Sequence, residues 1–573
     1  MMINCKRIFK ILIFVILFSS SFDFVSADLL NQKNNFFVNK SFDRTSRSNL
    51  SATLIYISNH AYFYVDDKYW DSLGTVSKEE FNQNVRALAV AFDTYIYEKE
   101  TAFFGSEAKP GVDGDDRITI LLEDLVENNG GYFDSSNGYK RSQISDSNQR
   151  EMLVVSASAV LKTLDLSKLF LAHEFLHLIS FNQKELKQEM QDDIWLSEAR
   201  AEYAVTVAGL NDNLSTSGLL RRKATFLENP SDSLTEWPNN LIDYSIALIF
   251  AEYLAEKYGP EIFSQSLVES AYGIESLNRY FANKGYQDRF ADAFINWAAA
   301  VYVNDTKFDA RLGYSKEGLK DIRVSPNQRS FNVGSFVNDD EFLRLKNWQP
   351  GWLEFNFGNS SLSKEKSIKI DILGDGGQNF IAGFITYFTD GSHKFDRIKT
   401  ISGKGTSFAV NPEDNSIKKI VVVLTNATKN TGFSTNELAF GVDVKLSAVD
   451  TQLVMSQDIK DGALIKKEGQ SELYVIERGY RRYLSPQVIA LYGHLDPALA
   501  ITVSPEVFDS YKTSNYVKNV NDEKVYAVWA DNTKHWLNMT GEYFAESGRD
   551  WGALFIINDL ELNYYKTGGD ITQ

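Results

Sequence analysis

The apolar positions of this chain repeat with two different periods. An apolar stretch from Leu171 to Ile179 is followed by Leu196, Ala199, Tyr203 and Val207, which recur at helical spacing. From Tyr244 to Tyr302 the pattern stays helical: one run stops at Gly259, a residue that suits the backbone just past a helix end, and Phe290 to Val303 forms another. Beyond residue 330 the period falls to two. Alternating runs at 367–373, 380–388, 419–424 and 440–446, separated by Gly, Asn, Asp and Ser, predict a β-sandwich of about 110 residues. The last stretch is duplicated. Ala463–Lys466 answers Asn515–Lys518, 472–476 answers 524–528, 482–484 answers 535–537 and 511–513 answers 565–567, a period of about fifty-three residues. Each copy reads as a hairpin, a short helix and a returning strand. Residues 28–50, rich in Asn and Ser, read as a flexible leader. With strands at 118–122 and 152–156, these patterns predict a multidomain chain: an α+β domain over 51–330, an all-β sandwich over 331–450 and a tandem α+β repeat module over 451–573.

Length supports that division, since 573 residues exceed what one core holds. Residues 1–27 read as a secretory signal. Lys6, Arg7 and Lys10 precede a short apolar core, Ile11 to Phe18, and Val25, Ser26 and Ala27 offer small residues at a cleavage site. That core is too short to span a membrane comfortably, and no later segment approaches a span. The expected address is secreted or cell surface. The single cysteine, Cys5, lies ahead of the apolar core, so the mature chain is expected to hold no disulfide and no thiolate-bound metal. A net charge of −17 argues against nucleic acid and anionic membrane surfaces as partners.

The chemistry concentrates in the two central helices. Of six histidines, His173 and His177 flank Glu174 in an H-E-x-x-H run. Residues four apart share one helix face, so the two imidazoles aim at a common point. That arrangement suits two ligands of Zn2+, with Glu174 beside them as general base. Glu198, on the next helix, offers a third ligand and leaves a coordination position for water. Two neutral imidazoles and one carboxylate leave the ion a net charge of about +1, still acidic enough to ionise water. Glu202, one turn on, is a candidate acceptor for the outer N–H of a ligand imidazole. On a merely solvated helix face, Glu198 and Glu202 would instead pair with Arg200 or Lys184.

H-E-x-x-H followed by W-L-S-E-A-R-A-E-Y, residues 195–203, resembles the gluzincin metallopeptidases, in particular the hyicolysin-like peptidases. The likeness runs over residues 51–305 and takes in 92–97, 115–122 and Gly130 to Phe133. It implies a thermolysin-like fold for the α+β domain, His173, His177 and Glu198 as zinc ligands, and Glu174 as the base. It also implies a tyrosine near the zinc as oxyanion donor, a place that Tyr244 fills and for which Tyr203 competes. The strand 152–156 resembles the sheet edge above the cleft, whose backbone pairs with extended substrate. Ser197, Ala199 and Arg200 depart from the usual Asn and Gly-Phe around the glutamate. No Gly-x-Met-Glu-Asn loop of the kind that captures a free amine is present, so the implied activity is that of an endopeptidase on protein or peptide substrates.

Other features are weaker. Asp113, Asp115 and Asp116 gather carboxylates in a Gly-bearing turn and suggest Ca2+ beside Zn2+, with a plain polar turn as the competing reading. His60, His393, His494 and His535 are isolated and read as structural. Trp529, Trp536 and Trp551 read as core residues of the repeats, with sugar or peptide contact at the cell surface as the alternative. A different class of function, a surface adhesion protein with an inactive peptidase-like domain, is expected to have lost Glu174 or a ligand, and all four positions are intact. Because the site motifs precede the change of period, the catalytic unit is expected to end near residue 330 and to survive truncation there.

Overall fold

The computed structural model describes residues 27–331, 338–357, 366–398, 400–401, 403–409, 416–450, 459–503 and 505–572. The expected signal, apart from Ala27, lies outside them. The described residues fall into two compact units, one of 27–102 with 106–182 and one of 103–105 with 183–572.

The first unit is built on a six-stranded sheet. Its strands are β1 (Lys33–Phe37), β2 (Asn49–Ile57), β3 (Ala61–Asp66), β4 (Ile118–Glu123), β5 (Gly131–Phe133) and β6 (Met152–Ser156), in the spatial order β1-β2-β3-β4-β6-β5. β3, β4 and β6 run parallel and are buried along their whole length, as strands covered on both faces are. Five helices accompany them: α1 (Asp67–Ser72), α2 (Thr75–Ala91), α3 (Tyr97–Phe104), α4 (Ala157–Lys162) and α5 (Leu164–Ser180). α5 lies against β5 and β6, and α2 against α4 and α5.

Two expectations change here. Residues 28–50 are not a loose leader. β1 pairs antiparallel with β2, Phe36 is buried in the sheet core, and Asp28 accepts the Tyr64 hydroxyl at 2.8 Å while pairing with Arg150. A five-residue edge strand buries only alternate side chains, and most of these are polar, so its hydrophobic signal is faint. Nor is 152–156 the sheet edge. β6 sits between β4 and β5, and the antiparallel edge is Gly131–Phe133, too short for alternation to reveal.

Glu123, the last residue of β4, is fully buried. It accepts the Tyr132 hydroxyl at 3.0 Å, while its other oxygen has no hydrogen-bond partner among the described residues. Burial pushes its carboxyl up to about 8, opposed by the Tyr132 hydrogen bond and Arg47 and helped by Asp43. The folded state therefore holds this proton more tightly than the unfolded chain, where a glutamate titrates near 4.5. The resulting stability is full below pH 4.5 and is lost as pH rises through about 8. Glu123→Gln, which cannot ionise, is expected to match the wild-type melting temperature at pH 4 and to exceed it at pH 8 and above. Equal melting temperatures across that range would refute the assignment.

The second unit begins with helices α6 (Ile194–Val207), α7 (Leu219–Glu228), α8 (Leu241–Tyr258), α9 (Glu261–Val268), α10 (Gly273–Asn283) and α11 (Phe290–Val303). α8 is buried nearly all round and packs against α6, α7, α9 and α11. Its start is fixed by a capping box, in which the Asp243 carboxylate accepts the Asn240 N–H at 2.6 Å. A two-sheet sandwich follows, with strands β7 (Gln328–Phe331), β8 (Asn338–Leu345), β9 (Gly351–Asn356), β10 (Lys366–Gly374), β11 (Phe380–Phe388), β12 (His393–Ile398), β13 (Thr400–Ile401), β14 (Lys404–Ala409), β15 (Ile417–Asn426) and β16 (Phe440–Asp450). One sheet has the order β13-β14-β10-β16-β8 and the other β12-β11-β15-β9-β7. Their inner faces share a core that includes Leu353, Phe355, Ile370, Phe384, Val422 and Val444.

The sandwich packs on the helical part across the boundary expected at residue 330. Trp348 (1 % exposed) and Trp352 (0 %) are embedded in the helical part. The Trp348 ring lies 4.6 Å from Phe290 and 5.5 Å from Phe294, and the Trp352 indole N–H donates to the Ala298 carbonyl at 2.8 Å. Tyr302 donates to Glu354 from the end of α11. Each strand pattern was readable locally, but which face α11 shares with the sandwich was not.

The repeats are alike element by element. Strands 464–467, 473–477 and 480–484 answer 516–519, 525–528 and 533–538, and the returning strand 501–503 answers 555–557. Each returning strand pairs parallel with the first strand of its own repeat. Leu464, Tyr480 and Leu484 share a core with Val517, Phe555 and Tyr565. A buried Arg482–Glu561 pair, joined by the Tyr492 and Tyr565 hydroxyls, links the two copies. Two tryptophans expected in the core are about half exposed, Trp529 at 49 % and Trp551 at 47 %, because they sit on the outer side of short two-layer units.

Candidate metal centre

On α5 the local sequence is rich in Leu, Phe and Ala, and it buries Leu171, Ala172, Phe175, Leu176 and Ile179. That burial turns His173 and His177 the same way. Their Nε2 atoms are 3.2 Å apart with the rings at 73° to each other. A tetrahedral ion with Zn–N bonds of about 2.0–2.1 Å separates two of its nitrogens by about 3.3–3.4 Å, so the pair fits zinc without rearrangement. Glu174, between them in sequence, is buried and lies against Gly131. A Cβ at Gly131 would come within 2.6 Å of the Val154 carbonyl oxygen and 3.1 Å of Glu174 Cγ, and one at Gly130 within 2.4 Å of the Phe170 ring. Only glycines let the edge strand β5 pass this close to the carboxylate.

Glu100, on α3, is a neighbour that reading the sequence missed. It is fully buried, and neither carboxylate oxygen has a hydrogen-bond partner among the described residues. Burial pushes its carboxyl well above the usual range, and the charge of His173 pulls it back. Its helix is seated on α5 by Tyr97, whose ring stacks on Phe175 at 5.4 Å. No sequence signal marks a lone glutamate one turn beyond a tyrosine.

α6 carries Glu198 and Glu202. The cations that would pair with them on a solvated face are engaged elsewhere. Arg200 is buried against Asp192 and donates to Ser266 Oγ at 3.0 Å, and Lys184 donates to the carbonyls of Glu269 and Ala271. Glu202 instead receives both arms of Arg222, Nε at 3.0 Å and Nη2. The Arg222 guanidinium lies 5.0 Å over the Tyr244 ring. The Tyr244 hydroxyl donates to Asn239 Oδ1 at 2.6 Å, and its ring meets Trp237 edge-on at 5.2 Å. Tyr203 is packed into the core against Phe263, and burial raises its phenol pKa. Of the two candidate phenols, Tyr244 is the accessible one. Arg222 also escaped the sequence reading, since one arginine in a charged helix carries no pattern.

His173 and His177, both in the first unit, are placed for one metal ion, and Glu198 lies on α6 of the second unit. Among the described residues, the Asp113–Asp116 loop forms no group suited to a metal ion. Asp113 accepts the Asp115 N–H at 3.0 Å, and Asp115 accepts the Tyr62 hydroxyl at 2.8 Å and the Arg117 N–H at 2.9 Å, the bonds of a polar turn. The four remaining histidines meet aromatic neighbours: His60 stacks on Tyr97, His393 on Phe308 and His535 on Trp529, and His494 meets Tyr492 edge-on.

No family model matches the chain. A curated relative, the neutral metalloprotease ShpI of Staphylococcus hyicus, is 26 % identical over 239 residues, which cover 37 % of this chain and 48 % of the relative. The sequence likeness is to a metalloprotease. The chain thus spans about half the length of that relative. Among solved structures, the pre-peptidase C-terminal domain of a Bacillus anthracis collagenase aligns at 8 % identity and a TM-score of 0.14, covering 22 % of this chain and 97 % of that one. A family GH115 4-O-methyl-α-glucuronidase aligns at 9 % identity and a TM-score of 0.12, covering 59 % of this chain and 52 % of that one. Such scores define no shared fold. Among the described residues, no helix is long and apolar enough to cross a membrane.

Proposed function

We propose that this protein is a secreted zinc-dependent endopeptidase of the gluzincin type, similar to the hyicolysin-like peptidases. The observation that carries the reading is the paired Nε2 atoms of His173 and His177, 3.2 Å apart on the helix that also holds Glu174. Distant likeness to a neutral metalloprotease supports it. His173, His177 and Glu198 would hold the zinc. When bound, zinc supplies the Lewis acidity that makes water nucleophilic and polarises a peptide carbonyl. Glu174 takes the proton of the attacking water and passes it to the departing nitrogen. The outer backbone edge of Gly131–Phe133 pairs with an extended substrate, which takes over the place first expected of 152–156. Tyr244 donates to the developing oxyanion. Arg222 fixes the Glu202 carboxylate, which accepts the outer N–H of a ligand imidazole. The substrates are proteins or peptides, and the half-exposed Trp529 and Trp551 favour an added contact with cell-surface or glycan material.

Metal analysis tests this reading. Wild-type protein is expected to carry about one zinc per chain. His173→Ala, His177→Ala and Glu198→Ala are each expected to lose zinc and hydrolysis together, whereas Glu202→Ala weakens zinc affinity only about ten- to hundredfold. Normal zinc in Glu198→Ala with loss in Glu202→Ala would transfer the third ligand to Glu202. A zinc-free wild type would favour the adhesion protein.

A further inference from the structure

The segment 229–240, between α7 and α8, has neither helix nor strand, yet Ser233, Leu234, Thr235, Glu236 and Trp237 are buried. A buried loop must satisfy its backbone and polar groups, and this strap does so largely through the sandwich. Ser231 Oγ donates to the Pro350 carbonyl at 2.6 Å, and Gln349 Nε2 returns a bond to the Ser231 carbonyl at 2.6 Å. Ser233 Oγ donates to the Asn347 carbonyl at 2.6 Å, and the Leu234 N–H to the Trp348 carbonyl at 3.0 Å. Both oxygens of Glu236 are used: one pairs with Lys346 and the other accepts the Glu437 N–H at 2.8 Å. The bonds come from the β8–β9 turn and from the loop before β16, two separate parts of the sandwich. The far end of the strap reaches Tyr244. Trp237 packs on its ring, Asn239 accepts its hydroxyl from a left-handed backbone conformation (φ 69°), and Asn240 caps its helix.

We propose that the β-sandwich is a positioning part of the peptidase site, with Glu236 and Lys346 holding the strap in the register that presents Tyr244. Glu236 is buried and Lys346 only partly so; desolvation offsets much of the attraction in such a pair, and fixing one arrangement against its neighbours is the best-attested use of buried ionic groups. Sliding the strap by one residue would unpair Glu236 from both partners and move Asn239 off the phenol. The sandwich thus sets, through the strap, the direction of the oxyanion donor on α8. This rests on the role given to Tyr244 above.

The test uses the full chain, with a quenched peptide as substrate, zinc per chain and melting temperature measured alongside. Tyr244→Phe is expected to lower kcat about a hundred- to thousandfold with zinc retained, as for loss of one oxyanion donor. Glu236→Gln and Lys346→Met are each expected to lower kcat about ten- to hundredfold with KM within about twofold and zinc retained, the scale of a small misplacement. In the Tyr244→Phe background they should cost almost nothing further, because both routes act through one phenol. Ser233→Ala, which removes one neutral hydroxyl that donates to the Asn347 carbonyl and accepts the Thr235 and Glu236 N–H groups, serves as the milder variant and should show the same kcat pattern at smaller size. Unchanged kcat, undiminished losses in the Tyr244→Phe background, or loss of zinc or of folding throughout this series would overturn the positioning role. A wild-type kcat in Tyr244→Phe would instead remove Tyr244 from the proposed reaction.

Discussion

Glu174→Gln is expected to abolish peptide hydrolysis while leaving zinc bound. The substitution keeps the shape of a buried side chain that lies against Gly131, so packing on the edge strand is preserved. It removes the one property the proposed reaction needs there, a carboxylate that can accept a proton from water and return it to an amine. The two imidazoles are untouched, and their 3.2 Å Nε2 separation still matches a zinc ion. A loss of about three orders of magnitude in kcat is expected. Turnover is measured on a quenched peptide beside metal content by atomic absorption. A variant with a tenth of wild-type turnover would show that Glu174 is not the base.

A chain ending at residue 330 is expected not to yield a working peptidase, contrary to what the change of period near that point suggests. Truncation removes Trp348 and Trp352, and with them the cover over Phe290, Phe294 and the Ala298 carbonyl on α11. Deleting one buried tryptophan side chain costs about 3–5 kcal/mol, so losing two approaches the whole margin of about 5–15 kcal/mol that keeps a domain folded. The strap 229–240 would also lose its partners at Glu437 and along 346–350. The fragment should be insoluble or should lack native helical dichroism, and Trp348→Ala in the full chain should lower stability by about 3–5 kcal/mol. A soluble, helical, zinc-loaded fragment with wild-type kcat would refute both this packing account and the positioning role of the sandwich.

How much of this was legible in advance follows from the range of the forces involved. The pairing of His173 with His177 is set by the helical repeat, because residues four apart share a face whatever the rest of the fold does. The same holds for the alternation that marks β10, β11, β15 and β16 and for the duplicated repeats, where each local pattern carries its own periodicity. What only the tertiary structure decided involves partners distant in sequence. β1 and β5 are short strands whose place follows from their neighbours in the sheet, so by sequence 28–50 reads as a leader and β6 as the edge. The need for glycine at 130 and 131 comes from Phe170 and Glu174 on another element. Arg222 matters because it meets Glu202 and Tyr244, twenty and twenty-two residues away, and Glu236 because it meets Lys346 and Glu437. A buried charge has no periodicity to announce it; its function is defined by the partner that desolvation obliges it to find. The sequence by itself thus determined the candidate ligand residues and the strand and helix periods, while long-range packing decided what covers, orients and supports them.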